Sequence, residues 1–371
     1  MKNTILGKPF SLEFFRRKSS QRYIPEIDAL RFLAIVPVLL AHLSQSFLEY
    51  NVFFDAELIK EESALRAFFR QGNFGVHLFF AISGFILTLP FIDENIKKLS
   101  FKNYYLRRLV RIEPPYIIAI TMFFVVHIFL AQKDIQFLFE RYLGSLLYSH
   151  NQIFETRSYI LPVAWSLEIE IQFYLLMPLI LLILKLVQSK YWRYLIYIGL
   201  YLFSFHVEVT SNGDLNNFMM YFLAGILAAD IYKNNKFSPH FVWDVTFVVS
   251  LVLFFSIDSD LTRSIFLFFV VISSLNLVLL KKIMTAPLIT VIGGMCYTLY
   301  LLHYPLYHLF MKTFTNHLTF FESYEATVLF QILIFLPISI ILMSAYFLLV
   351  EKPFMALSQR IGKKRKQNVK A

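Results

Sequence analysis

Several residues in this sequence could do chemistry from positions where such residues are costly: His42, His77 and His303, the pair Glu168 and Glu170, the single Arg31, and the group Arg107, Arg108 and Arg111. Each lies in or beside an apolar run. An ionisable group inside a membrane span is expensive unless it faces a polar cavity, so each is a functional candidate. Histidine titrates near neutrality, which suits a general base, and it can also attack as a nucleophile. A carboxylate beside it can orient the ring and steady the imidazolium. Guanidinium is a planar, permanently charged binder of phosphate. Arg31 and His42 share one helical run, IPEIDALRFLAIVPVLLAH. At about 100° and ~1.5 Å per residue they fall within roughly 20° of one another, ~16 Å apart in depth.

Blander readings exist for each. Arg31 could snorkel to a helix end, and His42 and His77 could simply bond neighbouring carbonyls. The loop arginines could be ordinary topology signals. Glu168 and Glu170 lie about 200° apart on a helix, so both cannot easily face one pocket, and one is expected to meet an outer loop. His303 and His308 have no zinc-type spacing with a partner, so no metal site is expected.

These residues need membrane-spanning helices to hold them. The 371 residues are 57% hydrophobic, 18% aromatic and only 16% charged. Such a chain leaves too little charge for the surface of a soluble domain, and its apolar runs of about 20 residues mark a polytopic membrane protein. The reading is all-α, with about ten transmembrane helices over 28–48, 74–92, 114–131, 162–187, 191–206, 216–232, 241–257, 262–280, 288–311 and 326–350. Residues 1–22 form a basic arm, 23–357 the ten-helix domain and 358–371 a basic tail. The net charge of +10 comes from basic residues in short loops, which orientation explains better than nucleic-acid binding. The single cysteine, Cys296, rules out a disulfide framework and a cysteine metal site. No small-residue cleavage site follows the first apolar run, so it reads as a retained anchor.

With ten spans and the N-terminus inside, roughly three quarters of the 35 Lys and Arg fall on the inner side, the bias that sets orientation. Both termini are then cytoplasmic. Arg31, Arg107, Arg108, Arg111 and Glu351 gather at the inner face. His42, His77, His303, Glu168 and Glu170 share the outer half, with Trp165 and Ser166, and Ser83 lies near the middle.

At these residues the sequence resembles the integral-membrane acyltransferases of type 3, which include bacterial O-antigen and other surface-polysaccharide O-acetylases. Arg31 and His42 resemble the family's Arg/Lys-x10-His signature. GVHLFFAISGF, Gly75 to Phe85, is similar to its GVDLFFVLSGF-type segment. Arg108-x-x-Arg111-Ile112-x-Pro114-x-Tyr116 is similar to its basic loop. Trp165-Ser166-Leu167 with Glu170 and Phe173-Tyr174 resembles its WSLxxE..FY helix. Tyr297 to Pro305, YTLYLLHYP, resembles YSLYLWHWP, and Glu351-Lys352-Pro353 the closing ErP. Six motifs in order cover nearly the whole chain. Two positions depart: Asp is usual where His77 stands, and a small polar residue where Glu168 stands. Many members carry a further extracytoplasmic hydrolase-like domain, and none is read here.

The resemblance implies transfer of an acyl group, acetyl first, from cytoplasmic acyl-coenzyme A to a hydroxyl of an extracytoplasmic carbohydrate or glycolipid. The setting it implies is a bacterial inner membrane. Arg31, Arg108 and Arg111 are expected to hold coenzyme A. His42 is expected to act as base or as acylated nucleophile, with Glu170 orienting it and His303 or Trp165 donating to the oxyanion. Two alternatives remain: a transporter or flippase for a glycan or lipid-linked substrate, and a sensor with a decayed site.

Overall fold

The computed structural model describes residues 15, 23–93, 100–130, 133–187, 189–206, 215–235 and 237–362. The basic arm over 1–22 lies outside these apart from Phe15, as does the tail beyond 362. The described residues contain helices, turns and loops and no strand.

Twelve helices carry the architecture: α1 Pro25–Tyr50, α2 Gly75–Asp93, α3 Phe101–Leu130, α4 Trp165–Leu186, α5 Lys190–His206, α6 Met219–Asn234, α7 Phe241–Ser256, α8 Asp260–Ser274, α9 Pro287–Gly294, α10 Cys296–Phe314, α11 Tyr324–Tyr346 and α12 Lys352–Ser358. Six stretches built on α1, α2, α3, α4, α6 and α11 are long and apolar enough to cross a membrane, and the bent pair α9–α10 makes a seventh. The expected fifth, seventh and eighth spans are the helices α5, α7 and α8, of 17, 16 and 15 residues. The loops at 49–72 and 132–160 hold short helices, Ala56–Glu62, Ala64–Gln71, Ile135–Leu146 and His150–Phe154.

α1 is the hub. In its apolar window 67% of residues are buried, against 28% for the peripheral α3 and α11. It starts with Pro25 at N1 and acidic Glu26 and Asp28 in the first turn, which suits the free N–H groups and positive dipole of a helix start. It packs on α2, α9, α10 and α11. Lipid tails give helices no hydrophobic reason to associate, so close backbone contact must do it. A Cβ on Gly225 of α6 would sit 1.9 Å from the Ala81 carbonyl oxygen of α2, and one on Gly293 of α9 would sit 1.8 Å from that of Asp28. Both crossings therefore demand glycine.

Two elements differ from the sequence expectation. α3 does not open at Pro114 but runs through Pro114 and Pro115 from Phe101. Prolines 114 and 115 free the carbonyls of Val110 and Arg111, which a membrane helix can tolerate. The neighbouring carbonyls of Ile112 and Pro115 accept additional hydrogen bonds from the hydroxyls of Tyr297 (2.9 Å) and Tyr346 (2.5 Å). Arg108 and Arg111 are thus held on a helix rather than a loop. The expected ninth span is broken between α9 and α10, which meet at 71°. The break follows Gly293-Gly294, a pair that weakens a helix and is pressed onto α1.

Candidate functional site

The turn of α1 at Asp28 and Arg31 is buried, and the two side chains form an ion pair. Arg31 lines a cleft together with Arg108 and Arg111 of α3, Glu170 of α4 and Ser83 of α2. The three expected coenzyme A ligands are therefore brought together with one expected catalytic carboxylate. Arg107 is not in the group: it faces the chain end and donates to the Ile361 carbonyl at 3.0 Å. Among the described residues, neither Arg108 nor Arg111 has an ion-pair partner. Arg108 rests over the Tyr174 ring, 5.4 Å from its centroid.

Glu170 lines the same cleft. Its carboxylate accepts short hydrogen bonds from Ser83 and from Tyr174, one helical turn further along α4. The expected partnership with His42 is replaced by this one. Tyr174 is the i+4 neighbour of Glu170, so spacing alone could have flagged the bond. Glu168 points elsewhere, as the 200° separation requires. It is 1% exposed and accepts from the Asn151 N–H (3.0 Å) in the short helix His150–Phe154. This is a contact between one carboxylate and the loop at 132–160.

His42 and His303 form a second layer. Their ring centroids are 5.2 Å apart, and Tyr304 packs edge-on against His42 at 5.3 Å. His303 is fully buried, and His42 is half-buried. The His303 Nδ1 lies 3.0 Å from the Leu299 carbonyl oxygen and 2.8 Å from that of Tyr300. Carbonyl oxygens accept only, so Nδ1 carries the proton and the neutral ring presents a lone pair at Nε2. A donor to an oxyanion is the opposite role, and His303 fills it only as imidazolium. His42 Nδ1 and His303 Nε2 are buried with no hydrogen-bond partner.

Tyr300 joins the two layers. It lines the cleft, its hydroxyl bonds Ser166 (2.7 Å) and the Val163 carbonyl, and its ring lies 6.0 Å from that of His303. Trp165 stands beside this contact but packs on Phe218 at 5.3 Å. Composition gave no sign of the Ser166–Tyr300 pair, because only the fold brings α4 and α10 together.

His77 departs from the cleft altogether. It stacks on Tyr221 at 4.3 Å and 3°, and Tyr221 donates to Asp260 at 2.7 Å. Glu351 reaches α10 through a π-helical turn over Phe347–Glu351 and accepts from the Thr298 N–H (3.1 Å) and hydroxyl (2.6 Å). That caps the start of α10 beside the cleft residues Cys296 and Tyr297. Among the described residues, no three His, Cys, Asp or Glu side chains gather as metal ligands.

Comparison with known proteins places the chain in a family. The family model Acyl_transf_3, described as an acyltransferase domain, matches residues 24–348. The peptidoglycan O-acetyltransferase OatA of Listeria monocytogenes is 27% identical over 332 residues, covering 77% of this chain and 50% of its own. The O-acetyltransferase OatA of Staphylococcus aureus is 26% identical over 328 residues, covering 77% and 51%. The chain thus spans about half the length of the curated relatives it matches. No solved structure matches it. The chain belongs to the Acyl_transf_3 acyltransferase family.

Proposed function

We propose that this acyltransferase-family chain moves an acetyl group from cytoplasmic acetyl-coenzyme A to a hydroxyl of an extracytoplasmic carbohydrate. Counting the bent pair once and adding α5, α7 and α8 to the long helices gives ten spans and both termini on one side. The Lys/Arg bias favours that side as the cytoplasm, and the bacterial relatives favour a bacterial cytoplasmic membrane. The Pro25 end of α1 then faces inward and the Tyr50 end outward.

The observation that carries the reading is that Arg108 and Arg111 line one cleft with Arg31 and make no ion pair among the described residues, although Glu170 stands in the same cleft. Guanidiniums placed so are available to bind an anionic ligand. The phosphates of coenzyme A supply it, and the cytoplasm holds it. The cleft extends to Ser166 and Tyr300, next to the histidine layer, so the thioester end of the donor has a direction of approach. The acetyl group crosses most of the membrane on its carrier while the acceptor stays outside.

His42 acts as the base. Its ring takes the proton of the acceptor hydroxyl as the oxygen attacks the thioester carbonyl. The C–O bond forms, the C–S bond breaks, and the proton passes to the coenzyme A thiolate. An acyl-histidine route divides the same balance into two steps. His303, with its Nδ1–H spent on carbonyls, holds a lone pair toward its surroundings and acts as a positioning group. Glu170, bonded to Ser83 and Tyr174, fixes α2 against α4 at the cleft wall.

The test uses purified protein in nanodiscs with labelled acetyl-coenzyme A. His42→Ala is expected to lower coenzyme A release about 10²–10⁴-fold, the span of a lost general base, with unchanged thermal unfolding. Label retained on the wild-type protein selects the acyl-histidine route. Near wild-type release in His42→Ala rejects the mechanism. Glycan movement without coenzyme A consumption makes the chain a transporter.

A further inference from the structure

The Tyr50 side of His42 carries two arginines that no carboxylate answers. Arg157 is exposed, with its guanidinium 5.6 Å from the Trp165 ring. Arg66 is half-buried on the short helix Ala64–Gln71. Both lie within electrostatic range of His42. Arg157 is also in range of Tyr300 and Tyr304. Arg66 is in range of Tyr324, whose hydroxyl bonds Ser44 at 3.2 Å. Among the described residues neither guanidinium makes an ion pair or a side-chain hydrogen bond. The nearby carboxylate, Glu49, turns instead to His308 at 3.7 Å, and His308 also bonds the Tyr50 hydroxyl at 3.0 Å. Tyr304 stands between the two histidines, 5.3 Å from the His42 ring and 4.3 Å from that of His308.

We propose that this mouth is the acceptor subsite, and that the acceptor is a glycan carrying a carboxylate or phosphate close to the hydroxyl that is acylated. The proposal rests on the acyl-transfer reading for the word acceptor, while the anion selectivity rests on Arg66 and Arg157 alone. Trp165 and Tyr304 offer amphipathic ring faces to the apolar side of a sugar. The two guanidiniums take the charge through paired hydrogen bonds. Their combined field also draws an anionic chain to the mouth before contact. Snorkelling to lipid phosphate does not account for Arg157, whose partner is the Trp165 ring at the start of α4, beside Ser166 and Tyr300.

The experiment measures binding of a uronic-acid tetrasaccharide and of a neutral tetrasaccharide to the full chain in nanodiscs of zwitterionic lipid, at low and high salt. Wild type is expected to bind the anionic chain about tenfold more tightly at low salt, with the preference shrinking as salt screens the charges. R66Q/R157Q is expected to lose the preference and R66K/R157K to keep most of it. Arg70→Gln, on the same short helix but lining a different recess with Asp258, should retain it fully. Equal affinity for the two glycans in wild type, or a preference that survives R66Q/R157Q, overturns the proposal. Anion-selective binding without His42-dependent coenzyme A release leaves the subsite standing and removes the transfer reading.

Discussion

Two sets of arginines in this molecule are treated in opposite ways. Arg263 and Arg193 are fully answered. Arg263, 2% exposed, bonds Asp260 (2.7 Å) and the carbonyls of Phe254 (3.3 Å) and Ile257 (2.6 Å), and its guanidinium lies 3.5 Å from the Phe74 ring centroid. Arg193 grips Asp230 with two bonds of 2.9 Å, and Tyr197 and Asn234 complete that carboxylate. Arg108 and Arg111 have no such partners, although they stand in a cleft with Arg31. A charge removed from water must be paired or neutralised. Where the chain supplies the partner, the charge clamps helices, here α5 to α6 and α8 to the loop before it. Where it does not, the proposed partner is a ligand from outside.

The contrast can be broken most forcefully at the clamp. Arg193→Gln leaves the Asp230 carboxylate buried with only neutral donors, and should cost about 3–5 kcal/mol of stability. Thermal unfolding in detergent should show a large drop. The rate of coenzyme A release per folded molecule should stay near wild type. A variant as stable as wild type would mean that the pair is not a clamp.

At the cleft the signs reverse. Arg108→Gln with Arg111→Gln should raise the KM for acetyl-coenzyme A by one to two orders of magnitude, as lost charge-assisted phosphate contacts do. The same double variant should unfold no lower than wild type, because it removes repelling cations. Loss of stability with unchanged KM would put these arginines with the clamps.

A smaller effect is expected at Tyr174→Phe. It deletes one donor to Glu170 while Ser83 remains, and should cost about 1 kcal/mol, visible as a small fall in unfolding temperature. No change at all would mean that Glu170 is held by other means.

How much of this was legible from the residues follows the range of each interaction. Helix positions and the joining of Arg31 to Arg108 and Arg111 were readable, because hydropathy and motif order are local signals. The continuation of α3 through Pro114 was not, since a proline marks the first turn of a helix as readily as a tolerated interior position in a membrane helix. The break before α10 was hidden as well: Gly293 reveals its purpose only when α1 lies against it. Glu170 shows the limit most sharply. Its type and depth suited a partner for His42, but side-chain direction on α4 gives it to Ser83 and Tyr174. Arg157 carried no sequence signal, because a loop residue has no periodicity to betray what it faces.

The most direct measurement uses Cys296, the single cysteine of the chain, which lines the cleft beside Tyr297 and Arg31. Its alkylation by a maleimide can be timed with and without coenzyme A, in wild type and in the Arg108→Gln, Arg111→Gln variant. Strong slowing by coenzyme A in wild type, and none in the variant at the same concentration, is the predicted result. Alkylation indifferent to saturating coenzyme A in folded wild-type protein would contradict the claim that this cleft receives the donor.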